Sequence, residues 1–324
     1  MDVGTYLDVV KDVYAAAARQ PDASLCCGSA PAWELPGLVI PRAMLEMNYG
    51  CGSTVDPRDV RGGDTVLYVG VGGGLEALQF AYLTRRPGGV IAVDPVAEMR
   101  EKARANFEEA ARLNPWFRPE FVTLRDGSAL ALPVADGQVS IVAQNCLFNV
   151  FTEDDLRQAL AEVVRVLRVG GRFFTSDPIT PTPLPATLTA DDRLRARCIS
   201  GCQTFERYLE LLTAAGFGRV EVRARVPYRL LTPAEYPELD RPVLLESIEV
   251  AAFKEPEWDD GPAVFTGRTA VYAGPEPAFD AGGGVLLTRG VPVPVSDAAA
   301  RRLGRFPDIV LTPPTYHVRG SGCC

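Results

Sequence analysis

The spacing of hydrophobic and polar positions changes rhythm several times along the chain. MDVGTYLDVVKDVYAAAA carries apolar residues at helical intervals and predicts an acidic-to-neutral amphipathic helix. A stretch rich in Pro, Gly and Cys follows, then a short helical piece from Arg42 to Met47. The pattern changes at Asp64. TVLYV is an apolar, β-branched run ending in Gly70, and it predicts a buried strand. LEALQFAYLT then has helical spacing, VIAVD reads as a second strand, and AEMREKARANFEEAARL as a helix with a charged outer face. FVTL, VSIVAQN and GRFFTSD predict three more strands, with the helix DLRQALAEVVRVL before the last of them. FERYLELLTAAGF, closed by Gly216, is a further helix and RVEVRARV a final strand.

Strand and helix thus alternate over about 160 residues, which implies βαβ units around a mostly parallel sheet with helices on both faces. Beyond Pro227 the alternation breaks into strand-like runs, turns and prolines. We divide the chain into an N-terminal helical, Cys-containing segment (1–62), an α/β domain (63–230) and a small, partly β C-terminal domain (231–324). The tail PPTYHVRGSGCC has no periodicity and predicts a mobile end.

Composition narrows the function classes. A length of 324 residues fits two domains or one with an addition. With 47% hydrophobic and 23% charged residues the chain reads as soluble and globular. The net charge of -8 argues against a nucleic-acid partner. The sequence has no apolar run of the roughly 18 residues that a membrane span needs. Its start lacks the basic and apolar regions of a signal peptide, so a cytoplasmic location is expected. In that reducing compartment the eight cysteines read as free thiols. No CxxC spacing suggests a zinc ribbon, and adjacent cysteines such as Cys26 and Cys27 make an awkward disulfide.

In VLYVGVGGG, Gly70, Gly72 and Gly74 stand at a strand-to-helix turn, where glycine lets the backbone approach a ligand. A plain tight turn would also explain them. Leu75 occupies the place of the third glycine in a dinucleotide fingerprint. Asp94 ends the second strand, 24 residues after Gly70, where a carboxylate can accept from both ribose hydroxyls. Alone it reads as a strand-end cap; with the glycine turn it points to a nucleoside ligand. LAEVVRVLRVGGRFFTSD, Leu160 to Asp177, closely resembles a structural pattern of class I (Rossmann-like) methyltransferases. That resemblance implies S-adenosylmethionine as cofactor, its adenine beside Asp126, Gly127 and Ser128 and its methionine part beside Asn145. Tyr68 departs from the pattern, since many relatives carry an acidic residue there.

The cysteine contexts are more specific. Asn48-Tyr49-Gly50-Cys51-Gly52 precedes the first strand, Gln144-Asn145-Cys146 ends the fourth, and Arg197-Cys198-Ile199-Ser200-Gly201 lies in a later insertion. Together with Cys26 and Cys27 upstream, they resemble the arsenite methyltransferases over roughly residues 20–230. The resemblance implies that Cys51, Cys146 and Cys198 bind As(III) and that Cys26 and Cys27 assist in binding or redox cycling. The terminal Cys323 and Cys324 look most like the bacterial branch linked to arsenosugar synthesis; they are either a collector of As(III) or a passenger. Soft thiolates select soft centres, and three of them leave arsenic a nucleophilic lone pair, so no general base is required. A thiol reductant of the glutathione or thioredoxin type would restore the trivalent state after each transfer. A single free cysteine is commonly only a small buried hydrophobe, and Cys202 reads equally as ligand or packing. His317 reads as a tail residue without chemistry, and Trp33, Trp116 and Trp258 as core or interface residues. Two rivals stand beside this reading: a methyltransferase of another small molecule with structural cysteines, and a non-enzymatic metalloid-binding protein.

Overall fold

The computed structural model describes residues 5–22, 24–25, 33–256, 261–282 and 285–315. Five strands form the parallel part of one sheet: β1 (Val66–Val69), β2 (Val90–Asp94), β3 (Val122–Asp126), β4 (Val139–Asn145) and β5 (Leu167–Thr180). The short β6 (Gln203–Thr204) lies parallel beside the end of β5. Next come β7 (Arg219–Leu231), β8 (Val243–Phe253) and β9 (Ala263–Phe265), giving the order β3-β2-β1-β4-β5-β8-β7-β9. The helices are α1 (Tyr6–Arg19), α2 (Arg42–Glu46), α3 (Leu75–Thr84), α4 (Ala97–Leu113), α5 (Glu153–Val166), α6 (Ala186–Thr189), α7 (Asp192–Ala196), α8 (Phe205–Ala214) and α9 (Asp297–Leu303).

Successive side chains of a strand point to opposite faces, and both faces of β1 are buried. Leu67 and Val69 join a core with α5 and α8, while Val66 and Tyr68 join one with α3 and α4. This two-sided burial explains why the parallel strands read as continuous apolar runs. The N-terminal helix α1 packs on α4 and α7 and buries Val10, Ala17 and Ala18.

The sheet extends beyond the sequence-based boundary at 230. Strand β8 lies in 231–256, which we expected in the C-terminal domain, yet it sits between β5 and β7 and is antiparallel to both. Pro227 does not end β7: the strand shifts register between Pro227 and Arg229, and β9 pairs only with Arg219 to Glu221. Proline, which has no N–H to donate, is tolerated at such a bulge on an open edge. After β9 comes a small unit with its own core. It contains β10 (Thr269–Tyr272), β11 (Ala278–Asp280), β12 (Leu286–Thr288), β13 (Val293–Pro294), α9 and β14 (Ile309–Leu311). Among the described residues no helix is long and apolar enough to cross a membrane.

Candidate active site

The strand order reverses between β1 and β4, and open α/β sheets bind ligands outside the strand ends at such a switch point. A cavity opens there. Gly70 and Gly72 line it after β1, Asp94 at the end of β2, Gly127 and Ser128 after β3, and Asn145 and Cys146 at the end of β4. Gly74 stands off this wall. Its φ is 91° and it caps α3, where an added Cβ would come within 2.9 Å of the Phe107 ring, so it serves helix packing. The opposite wall, which the sequence patterns do not predict, is built by Leu7, Val10, Lys11 and Tyr14 of α1 together with Tyr49.

The lining fits a nucleoside cofactor. Gly72 has φ 50°, and an added Cβ would meet nothing within 4 Å, so a side chain here would project into open space. The Asp94 carboxylate is 6% exposed and accepts from Val96 N at 2.9 Å and from Gly72 N at 3.5 Å. Burial, partly offset by these N–H bonds, pushes its carboxyl up to about 6. Arg100 bonds the Asp94 backbone carbonyl and the Asp126 carboxylate at 2.7 and 2.8 Å. Two carboxylate oxygens offer about four acceptor positions, so capacity for a ribose diol remains. At Gly127 a Cβ would lie 2.7 Å from Pro133, a close approach that requires glycine.

Glu76 escaped the sequence reading. It lies on α3, 6% exposed, and burial raises its carboxyl. It accepts from Thr54 N at 2.9 Å, Thr54 Oγ1 at 2.6 Å, Tyr68 Oη at 2.9 Å and Asn145 Nδ2 at 3.1 Å. An acid from α3 thus stands beside Tyr68, which donates to it. Asn145 ties this cluster to the Cys51 loop, accepting from Cys51 N at 3.0 Å and donating to Gly52 O at 2.8 Å. The glycines around Cys51 are needed for that contact. A Cβ on Gly50 would come within 2.6 Å of Asn145, and one on Gly52 within 2.5 Å of Ser176 Oγ.

Cys51, Cys146, Cys198 and Cys202 are all buried and in no disulfide. Cys146 follows β4 with φ 58°, and Cys198 follows α7 with φ 56°. Left-handed backbone is uncommon for residues other than glycine and costs of order 1–3 kcal/mol when the surroundings impose it. Three consecutive amides fix the turn at Cys146. Cys146 N donates to Ser176 O at 2.7 Å, Leu147 N to Gln144 Oε1 at 2.8 Å, and Phe148 N to Asp177 Oδ1 at 3.2 Å. Asp177, whose carboxyl burial pushes up to about 6, also accepts from Thr175 Oγ1, Tyr208 Oη and Gln144 Nε2.

Cys198 Sγ donates to Cys146 O at 2.8 Å, and Cys202 Sγ donates to Cys198 O at 3.1 Å. Cys51 Sγ lies 3.4 Å from Ser176 Oγ. The three cysteines expected to act together are not gathered into one cluster: among the described residues no three His, Cys, Asp or Glu side chains stand close enough to hold an ion. Cys198 and Cys202 share no helix face, because α7 ends at Ala196 and both sit in the turn beyond it. Burial raises the Cys202 thiol well above its ordinary value. Trp116 packs edge-on against Tyr82, and Arg58 lies over Trp33. Cys26, Cys27, Trp258, His317, Cys323 and Cys324 lie outside the described residues.

Residues 67–175 match the family model described as "Methyltransferase domain". The chain is 33% identical over 177 residues to an arsenite methyltransferase of Halobacterium salinarum, covering 55% of this chain and 43% of that protein. It is 31% identical over 202 residues to an arsenite methyltransferase of Aquipseudomonas alcaligenes, covering 60% of this chain and 56% of the relative. The chain thus spans about half the length of these curated relatives. The crystal structure of an arsenic(III) S-adenosylmethionine methyltransferase from Chlamydomonas reinhardtii shares the fold, with a TM-score of 0.62 at 23% identity, over 88% of this chain and 96% of that one. Residues 67–175 are therefore a methyltransferase domain of the class I fold, the kind that takes S-adenosylmethionine, and over about half its length the chain is similar to arsenite methyltransferases.

Proposed function

We propose that this protein transfers methyl groups from S-adenosylmethionine to trivalent arsenic held by protein thiols, with arsenite and methylated arsenicals as acceptors. The observation that carries this reading is the pair Cys146 and Cys198. Both are buried cysteines in left-handed backbone and in no disulfide, Cys198 Sγ donates to the Cys146 backbone carbonyl at 2.8 Å, and Cys146 lies on the wall of the proposed cofactor cavity. Backbone strain of this kind persists where the surroundings over-determine it, and it gathers at functional sites. S-adenosylmethionine, when bound, supplies an electrophilic methyl group on a sulfonium. Asp94 would hold the ribose, the turn at Gly70 and Gly72 would admit the methionine part, and Asn145, which bonds the Cys51 loop, would face that part.

Binding of As(III) replaces S–H by S–As bonds, so Cys146 and Cys198 release protons as the acceptor is taken up. The arsenic lone pair needs no base to attack. The chain's contribution is then chiefly alignment, an effect worth up to roughly 7–11 kcal/mol when geometry is well held. Cys51 completes the ligand set by a shift of its loop, which hangs on Asn145 and Glu249 through two backbone N–H bonds. Transfer leaves arsenic formally pentavalent. Two thiols, from the chain or from a small reductant, return the electron pair and leave as a disulfide.

A second reading has one observation in its favour. The cysteines are apart before the acceptor arrives, as structural thiols would be in an enzyme that methylates another small molecule. Cys146→Ser combined with Cys198→Ser separates the two. The arsenic reading expects loss of As(III) binding, measured by equilibrium dialysis, with affinity for S-adenosylhomocysteine within about threefold of native, because no cofactor contact of the type worth 1.5–3 kcal/mol is removed. Full As(III) binding by the double variant would refute it.

A further inference from the structure

Asp177 on β5 is fully buried and forms no ion pair among the described residues. An ionisable carboxyl enclosed without a cation is costly, so its place in the fold needs a reason. Its hydrogen bonds supply one. Oδ2 accepts from Thr175 Oγ1 at 2.9 Å, from Tyr208 Oη at 2.7 Å and from Gln144 Nε2, while Oδ1 accepts from Phe148 N at 3.2 Å. Gln144 is equally buried and reaches the same turn, for its Oε1 accepts from Leu147 N at 2.8 Å.

The two side chains form one clamp. Gln144 comes from β4 and Asp177 from β5, strands that pair side by side. Each offers one oxygen to one of the two amides that follow Cys146. A glutamine amide can be turned end for end, but an ionised carboxylate accepts and cannot donate. Asp177 therefore decides that Gln144 turns its N–H groups inward and its oxygen toward Leu147 N. The turn so fixed carries Cys146 at φ 58°, and Asn145, Cys146 and Leu147 all line the cavity at the strand ends. Asp177 does not line that cavity itself.

We propose that Asp177 is a positioning residue for methyl transfer: by orienting the amide of Gln144 it locks the left-handed turn that holds Cys146 against the cavity. The proposal rests on the arsenical reading above, in which arsenic carried by Cys146 must meet the sulfonium methyl in line. Misplacement by about 1 Å can cost up to roughly 10²-fold in rate. A loosened turn would still leave the thiol able to bind arsenic. It would lose the alignment, so the step affected is transfer and not uptake.

Two variants test the clamp. Asp177→Asn removes a buried charge and should stay folded, but its new amide faces Gln144 Nε2, donor against donor. Gln144 must then turn its amide and present N–H groups to Leu147 N. Gln144→Glu added to Asp177→Asn reverses the pair: the carboxylate at 144 accepts from the amide at 177, and an oxygen faces each backbone amide again. At about pH 8, where the native carboxyl is ionised, Asp177→Asn should lower kcat for arsenite methylation about tenfold. The Kd values for arsenite and S-adenosylhomocysteine should stay within about twofold of native. The double variant should return kcat to within about threefold of native. Hydrogen exchange of the Leu147 amide, read by NMR, should be about tenfold faster in Asp177→Asn and native-like in the double variant. A native kcat in Asp177→Asn, or unchanged exchange at Leu147, would overturn the clamp. So would a folded double variant no faster than the single one. A native chain that leaves arsenite unmethylated would instead refute the functional reading, and this proposal with it.

Discussion

In the proposed site Asp94 accepts from the ribose best as a carboxylate, and its surroundings favour the neutral acid. Burial pushes its carboxyl up to about 6, so below that pH the group becomes a hydroxyl donor and loses an acceptor oxygen. We expect the Kd of S-adenosylhomocysteine to rise as pH falls from about 7 to about 5 in the native chain. Asp94→Asn should bind more weakly, by about 1.5–3 kcal/mol or roughly 10- to 150-fold, and show no such slope. Calorimetry at three pH values decides this; parallel profiles would place the ribose elsewhere. The place of Asp94 on the cavity wall was legible in the sequence because it follows a glycine turn by one strand; alone, an acid at a strand end reads as a cap. Glu76 was not, since a glutamate on a helix reads as a surface residue. Only the approach of Thr54, Tyr68 and Asn145, remote in sequence, encloses it.

At the scale of elements, the parallel strands and their helices were readable because each carries its own periodicity; α4 covers Ala97–Leu113, the span its apolar stripe predicts. Strand β8 was misassigned for a physical reason. Glu246, Ser247 and Glu249 make it look like a peripheral strand, but Glu246 pairs with Arg225, Ser247 meets Ser176, and Glu249 holds Ser53 N at 2.9 Å. Its polar residues support the Cys51 loop from within the sheet. The ends of β4 and β5 cooperate similarly through Asp177, which bonds Phe148 N behind Cys146. A carboxyl raised from 3.8 to about 6 in the folded state contributes stability that is complete below about pH 4 and lost as pH rises through about 6. The effect is on the order of 3 kcal/mol for a shift of this size. Relative to the native chain, Asp177→Asn should therefore gain stability by up to that amount between about pH 4 and pH 7, measured by urea unfolding. A difference between the two proteins that does not vary with pH would show that Asp177 titrates as an ordinary carboxyl.

Across the whole molecule, the site draws on parts that local patterns do not connect. Helix α1 closes one side of the cofactor cavity, and Tyr14 of α1 also donates to Ala196 O at 3.1 Å, next to the Cys198 turn. The N-terminal helix therefore touches both the wall of the cavity at the strand ends and the segment that leads into Cys198. The central claim is that this assembly methylates arsenic. Folded protein, arsenite, excess thiol and S-adenosylmethionine bearing a labelled methyl group should be incubated together and the arsenic species separated by chromatography with mass detection. The account predicts labelled methylated arsenic, formed in step with S-adenosylhomocysteine and absent when the Cys146→Ser, Cys198→Ser variant replaces the native chain. A native preparation that binds S-adenosylhomocysteine yet leaves arsenite unmethylated would contradict it.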